Sequence, residues 1–504
     1  MTIITSPDKN ISLVVGAFFV SPIRKDDGMS KFNNKQGITT VTYEGGEAYE
    51  KPLLHEWLNI LFGSFLAGGA YESDRTRAER LIEKTRQIAD KYGAEFAMKA
   101  VVYARNVMGM RSASHLAGAV LNTYDFQDKR DLYRKLFHRP DDVAELFGAI
   151  DYLYEKRSHA VVRATCDYVS GMNEYMFGKY KLTGKRYNWF DIINISHANS
   201  TVIDTIKTTG KIPVADVWET AISNTDNAEE EWKRLLVEGK LGYLALLRNL
   251  RNISKYDFCT QEFADKYIFS ILCDPNKVKE SLVFPFQIYT AYKACPKYWY
   301  DLSEAFKASM ENVPVIEGST LVAVDVSGSM DAVLSPRSTV SIGEASACYA
   351  YIVSQRCTDP TIVKFGSTAS LVSNSILDSD DPFVTIEDIA MHTCGYSTCI
   401  GEIRKVIGNK KFDRLFLFSD QQNMEMRNFN MPSPVQFVNS ISKYSYSFDL
   451  GAYPTTVFKD MPSNVCLMTC LTANLFALVR KFEEGEDALY NEINDTRNWK
   501  PLLA

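Results

Sequence analysis

From Leu54 to Lys293 apolar residues recur at helical spacing in one segment after another, with hardly an alternating strand between them. A chain with that rhythm must bury its apolar stripes by stacking helices. In Glu95–Val107, for example, Phe96, Ala100, Tyr103 and Val107 fall on one face. The same spacing predicts helices over Leu54–Ala67, Arg75–Tyr92, Ala113–Leu121, Val143–Glu155, His159–Val169, Val214–Ile222, Leu235–Leu250 and Phe284–Lys293. Short Gly, Asn or Asp breaks separate many of them. Such a succession points to an α-solenoid of HEAT-like helical repeats, although no repeat period is clean.

After Glu317 the rhythm becomes strand, helix, strand. Apolar runs at Thr320–Val326, Thr361–Phe365, Leu415–Phe418, Tyr446–Leu450 and Val465–Cys470 read as strands. Ile342–Val353, Ile386–His392, Glu402–Ile407, Val435–Tyr444 and Leu475–Glu484 read as helices. Alternation of this kind predicts a doubly wound α/β sheet covered on both faces. With 504 residues, the chain is long enough for a helical domain over 1–316 and an α/β domain over 317–504.

Charge and cysteine usage narrow the functional classes. Residues 1–317 carry 41 Lys+Arg and 41 Asp+Glu, so the whole excess of six acids lies in 318–504. A neutral helical half is no basic nucleic-acid domain, and any such site must be a local patch. Ten cysteines are scattered without a CxxC pair, which fits reduced thiols in a cytoplasmic protein rather than a zinc knuckle. No apolar run is long enough for a membrane span, and the start of the chain lacks a signal peptide's basic region.

The sharpest motif closes the first α/β strand: Asp325-Val326-Ser327-Gly328-Ser329-Met330. One carboxylate and two hydroxyls alternate along a turn and can meet at the carboxyl end of a parallel strand, where such sheets place ligands. Gly395-Tyr396-Ser397-Thr398 adds a hydroxyl, from either Ser397 or Thr398, with Thr398 preferred. Leu415–Phe418 leads into Ser419 and a second carboxylate, Asp420. Hard oxygen ligands in this number suit a divalent metal, Mg²⁺ or Mn²⁺. The set Asp325, Ser327, Ser329, Thr398 and Asp420 resembles the metal-ion-dependent adhesion site of von Willebrand factor A-type domains. That resemblance implies that an acidic residue of a protein partner supplies the last ligand. An A-type domain whose site stays empty is the alternative.

The helical half resembles the TROVE module of the Ro ribonucleoprotein family. The resemblance rests on an ordered set: Gly45–Tyr49, Phe62-Gly63-Ser64, Gly68-Gly69-Ala70-Tyr71, Tyr103-Ala104-Arg105 and Gly109-Met110-Arg111. Lys179-Tyr180-Lys181, Trp189 through Ser196-His197, Leu246–Leu250 and Phe284-Pro285-Phe286-Gln287 follow. Phe284 stands where the family often has His, and the loop after Lys181 is one residue longer, so Lys185 and Arg186 have no one-to-one counterparts. The resemblance implies helical repeats closed into a ring by the A-type domain. It also implies single-stranded ends of misfolded noncoding RNAs in the hole, small Y-type RNAs outside, and an exoribonuclease or other protein partner.

Basic side chains interleaved with aromatics suit RNA, because cations neutralise phosphates and rings stack on bases. On that ground Lys179, Lys181, Lys185 and Arg186, beside Tyr180, Tyr187 and Trp189, are RNA candidates. The resemblance adds His197, while Arg248 and Arg251 are candidates for a helix end lining the ring. Each has a plainer reading: a solvated basic face, a core histidine at His197, pairs with nearby acids at Arg248 and Arg251. Arg105 and Arg111 can simply buttress packing. Catalysis finds little support, since the sequence holds no GxxxxGK[ST] loop, HExxH or G-x-S-x-G elbow. An RNA-binding scaffold is the leading expectation. A metal-dependent protein-interaction module with weak or lost RNA binding, and more remotely a metal-dependent hydrolase, stay open.

Overall fold

The computed structural model describes residues 39–496, apart from 44, 64–72, 183, 216, 335–337, 425–431, 451–452, 469–475, 477–478, 480–481 and 484–487. The stretch Ser64–Tyr71 and most of the helix expected over Leu475–Glu484 therefore lie outside the described residues.

A short hairpin, β1 (Thr39–Val41) and β2 (Glu47–Glu50), precedes the helices. Then come α1 (Leu53–Gly63), α2 (Asp74–Tyr92), α3 (Ala94–Asn106), α4 (Ser112–Leu121), α5 (Lys129–Leu136), α6 (Asp142–Tyr152), α7 (His159–Ser170), α8 (Glu174–Lys179) and α9 (Trp189–Ser196). Local signals set their ends. The Ser73 hydroxyl accepts from Thr76 N (3.1 Å) at the start of α2, and Gly93 (φ 92°) turns the chain at its end. Asn188 and Asp191 form a reciprocal capping box at α9. Each helix packs on a near neighbour in the chain, α2 on α3 and α4, α3 on α5, α4 on α6, α5 on α7, α7 on α9. Two staggered rows of that kind are the HEAT-like arrangement expected from the sequence.

The array continues through α10 (Thr201–Thr209), α11 (Trp218–Ser223), α12 (Ala228–Val237) and α13 (Tyr243–Ile253). The single helix expected over Leu235–Leu250 is two, because Gly239 takes φ 65° and Gly242 caps the next start. The helix expected from Val214 begins only at Trp218. After α13 follow α14 (Gln261–Ala264), a π-helical turn (Asp265–Phe269), α15 (Ser270–Leu272), α16 (Pro275–Ser281), α17 (Pro285–Ala294) and α18 (Trp299–Ser309).

The second half is a six-stranded sheet in the order β5-β4-β3-β6-β7-β9. Its strands are β3 (Ile316–Asp325), β4 (Cys357–Phe365), β5 (Ala369–Leu371), β6 (Phe412–Ser419), β7 (Ser442–Asp449) and β9 (Val465–Met468). All pair in parallel except β5, an antiparallel edge. The connections carry α19 (Ile342–Arg356), α20 (Asn374–Leu377), α21 (Pro382–Ala390), α22 (Ile403–Ile407) and α23 (Pro434–Ile441), and α24 (Ala488–Asn494) lies beyond β9. Val435–Tyr444, expected as one helix, ends at Ile441 and passes straight into β7.

Side chains alternate across this sheet, as the period of a strand requires. Val322, Val324, Phe416 and Phe418 join one continuous core with the helical half, while Leu321, Ala323, Leu415 and Leu417 pack under α22 and α23. Phe284, at the position where a His was expected, is buried against Tyr349 of α19 (ring centroids 5.5 Å apart). Thus α17 and α18 dock on α19 and α21, whereas at the other end α1 packs on β9 and β2 pairs with the two-residue strand β8 (Thr455–Thr456). Both ends of the helical array are fixed to the same sheet domain, so the repeats form a ring closed by that domain. The two halves also trade termini: the hairpin at 39–50 belongs to the sheet domain, and α24 packs on α3.

Two histidines are sealed inside the array. Burial pushes His115 down to about 3 and His55 to about 4, in each case the first cause, with Lys51 adding to it at His55. An imidazole held neutral in the fold but free to protonate when unfolded contributes stability that is complete above about pH 6.5 and lost as pH falls toward the folded value. Melting temperature is therefore expected to fall steadily between pH 6.5 and pH 4, and His115→Gln to flatten that dependence.

Candidate metal and nucleic-acid sites

At the carboxyl end of β3 the Asp325 carboxylate is fully buried and gathers the hydroxyl set around itself. Its Oδ1 accepts from Ser327 N (2.9 Å), and its Oδ2 accepts from Ser419 Oγ (2.6 Å) and Thr398 Oγ1 (3.2 Å). Thr398 Oγ1 lies 3.0 Å from Ser327 Oγ, which lies 3.3 Å from Ser329 Oγ. Asp420, one residue past β6, accepts from Gln422 N (3.1 Å) at Oδ1 and bonds the Ser329 side chain. All five expected residues thus converge. Between the two hydroxyls left open by the sequence, Thr398 is in the cluster, while Ser397 is engaged through its backbone N–H with Ser367 Oγ (3.2 Å). Ser419 was missed, although it sits between strand and carboxylate in the Phe418-Ser419-Asp420 run.

The electrostatics of this set suit a cation. Burial, then the neighbouring Asp325 charge, pushes the Asp420 carboxyl up to about 7, and burial also raises Asp325. Two buried carboxylates face one another with only hydroxyls and amides between them, an arrangement that is costly unless a positive charge sits among them. Three hydroxyl and two carboxylate oxygen donors are the chemistry of Mg²⁺ or Mn²⁺. Among the described residues no cluster of three His, Cys, Asp or Glu offers a different metal site. Over the mouth, His392 Nε2 contacts Asp331 Oδ1 (2.8 Å), and its ring lies 5.4 Å from that of Tyr396, which is 72% exposed. A cavity of about 610 Å³ lies behind the loop, lined by Tyr49, Ile400, Asn423, Val435 and Lys459 among others.

The RNA candidates do not form one set. Lys179 and Lys181 sit at and just past the end of α8, half-buried, with Lys179 Nζ over the rings of Tyr175 (5.6 Å) and Tyr180 (5.9 Å). Lys181 Nζ reaches Asn224 Oδ1 (3.3 Å). Lys185 turns inward instead: it pairs with Glu145 and lies 3.7 Å from Asp141, its side chain 9% exposed. Lys185 is thus a packing cation, corrected from a ligand-facing one, and Lys185→Met is expected to cost about 3 kcal/mol of stability by stranding buried acids. Thermal melting checks the loss; RNA affinity per folded molecule should stay unchanged. Arg186 pairs with Asp151 (2.7 Å) but remains more than half exposed. His197 is an exposed residue in the left-handed region at the end of α9, not a core histidine. Arg248 and Arg251 are exposed on α13 and, among the described residues, pair with no acid; α13 packs on α16 and α17, away from α5–α9.

Arg105 and Arg111 are tied into a buried ion cluster. Asp142 accepts from Arg105 Nε (3.0 Å), Arg111 Nε (3.3 Å) and the backbone N–H groups of His138 (3.1 Å) and Arg139 (2.8 Å). Burial works to raise its pKa, yet the neighbouring His115, the Arg105 and Arg111 guanidinium charges and the Arg139 N–H together carry it below the ordinary carboxylate range. The cluster pins α3 and α4 to the start of α6.

A better cationic surface adjoins it, and sequence reading missed it. Arg134 lies 4.5 Å from the centre of the Tyr168 ring and Arg139 5.2 Å from that of Tyr180. Arg130 grips Asp167 through Nε (2.7 Å) and Nη2 (2.6 Å), with Arg134 and Arg163 close to the same carboxylate. His197 is joined to this face, its carbonyl oxygen 3.8 Å from Cys166 Sγ of α7. The signal was present as Lys129, Arg130, Arg134, Lys135 and Arg139 within one short stretch; the apolar period there is too brief to have marked a helix.

The TROVE domain family matches residues 180–331. No curated protein matches. Among solved structures, the Ro (Rsr) protein of Deinococcus radiodurans has the same fold, with a TM-score of 0.57 at 15% identity over 80% of this chain and 93% of that one. The TROVE match thus covers the later part of the helical half and the first strand of the sheet domain, and the Deinococcus protein shows the fold.

Proposed function

We propose that this chain is a cytoplasmic RNA-binding ribonucleoprotein scaffold, not an enzyme, that holds small noncoding RNA of the Y type and single-stranded ends of misfolded RNA for quality control or degradation. The observation that carries the reading is the face built by α5, α7, α8 and α9, where Arg134, Arg139 and Lys179 lie over tyrosine rings. Such a face meets phosphates with charge, and its more exposed rings, Tyr175 and Tyr180, can meet bases, while the domain as a whole stays neutral. Binding of a labelled single-stranded RNA over a salt series tests it: a steep fall of affinity with salt is expected, and salt-independent or absent binding counts against it.

A second role rests on the Asp325 cluster. Asp325, Ser327, Ser329, Thr398 and Asp420 would hold Mg²⁺, which would supply an open coordination position for an acidic side chain of an exoribonuclease or other protein partner. Mg²⁺ at about a hundred times its dissociation constant should stabilise the fold by about 2.7 kcal/mol, read as a rise in melting temperature reversed by EDTA. Asp325→Ala should abolish that response.

A further inference from the structure

The hairpin at 39–50 precedes the helical ring in the chain but is built into the sheet domain beside the metal set. Lys51, which follows β2 and leads into α1, is buried in an ion pair with Asp449 at the end of β7, and its Nζ also donates to Tyr453 O (2.7 Å). Tyr43 N donates to Gln422 Oε1 (2.9 Å), and Thr42 Oγ1 donates to Asn423 O (3.4 Å). The segment so gripped is the one that aims Asp420: Gln422 N donates to Asp420 Oδ1 (3.1 Å), and Met424 N donates to Thr398 O (2.9 Å). One more bond, from Ile400 N to Asn423 Oδ1 (3.1 Å), ties the Thr398 loop to the same segment. A continuous line of hydrogen bonds thus runs from the ring's first seam to both loops of the cation set.

We infer that the hairpin and Gln422 are positioning elements for Asp420 and Thr398, so that cation binding and closure of the ring at its N-terminal seam form one linked equilibrium. The inference rests on the cation reading of the Asp325 cluster. Without a cation, Asp420 and Asp325 repel across a buried space, and the 420–424 segment holds Asp420 in place partly through its bonds to the hairpin. A bound cation turns that repulsion into attraction and fixes the segment in the geometry that receives Tyr43 and Thr42. By reciprocity, whatever the cation does for the hairpin the hairpin does for the cation. A seam with a merely structural role would ignore the cation.

Hydrogen exchange on the full chain reads the linkage without any substitution. Saturating Mn²⁺ is expected to slow exchange of the 39–50 amides by about fivefold or more relative to EDTA. Gln422→Ala keeps the backbone bond to Asp420 but loses the Tyr43 contact; it should weaken Mn²⁺ binding by a similar factor and shrink the protection. Direct Mn²⁺ titration, with Asp325→Ala as control, separates the outcomes. Mn²⁺ bound at the cluster with hairpin exchange unchanged overturns the linkage and leaves the cation reading standing. No Mn²⁺ bound by the wild-type chain overturns both.

Discussion

Asp142→Ala lowers the melting temperature of the chain by about 3–5 °C, the shift expected when a buried ion cluster loses its shared carboxylate at a cost of about 3–5 kcal/mol. Asp142 is fully buried and serves two guanidinium groups and two backbone N–H groups at once. Removing it strands the Arg105 charge, whose side chain is 5% exposed. The companion Arg105→Met/Asp142→Leu variant should recover much of the loss, since replacing a buried pair by packed apolar groups is often neutral. Calorimetry of the three proteins reads the effect; a single variant as stable as wild type contradicts the assignment of this cluster as the tie between α3, α4 and α6.

Arg134→Ala/Arg139→Ala has the largest expected effect on binding. If both side chains neutralise phosphates of a single strand, the slope of log affinity against log salt falls by about 1.4, from about 0.7 per phosphate. Affinity near physiological salt should drop by about tenfold or more. The Arg134 guanidinium lies over the buried Tyr168 ring and the Arg139 guanidinium over the half-buried Tyr180 ring, and Arg139 also holds Asp141 through Nε (3.1 Å) and Nη2 (3.1 Å). Melting should fall by about a degree or two through the lost Asp141 pair, which Lys185 and Arg111 still partner, while RNA binding changes much. Fluorescence anisotropy at several salt concentrations measures the slope, and an unchanged slope removes this face from the interface.

The fold was largely legible because its two halves obey different periods. Runs such as Glu95–Val107 and Leu415–Phe418 are long or apolar enough for local pattern to decide. Reading failed where tertiary structure decides instead. Gly239 splits one apolar stripe into two helices because a left-handed residue interrupts it, and the pattern alone continues across. The hairpin at Thr39–Glu50 is invisible as part of the sheet domain because its partner, Thr455–Thr456, lies at the other end of the chain. The convergence of Asp325, Ser327, Ser329, Thr398 and Asp420 was legible since these oxygens are clustered in motif and follow predicted strands. Lys185 and Arg134 show the limit for surface cations: composition places both near aromatics, but only the position of Glu145 and Asp141 decides that Lys185 turns inward and Arg134 does not.

Ultraviolet crosslinking of a uridine-rich single strand to the full chain, followed by mass spectrometry of the crosslinked peptides, tests the RNA interface most directly. The account predicts crosslinks in peptides spanning Lys129–Arg139, Cys166–Tyr180 and His197. Crosslinks confined to the sheet domain, or none above background at low salt, would contradict it.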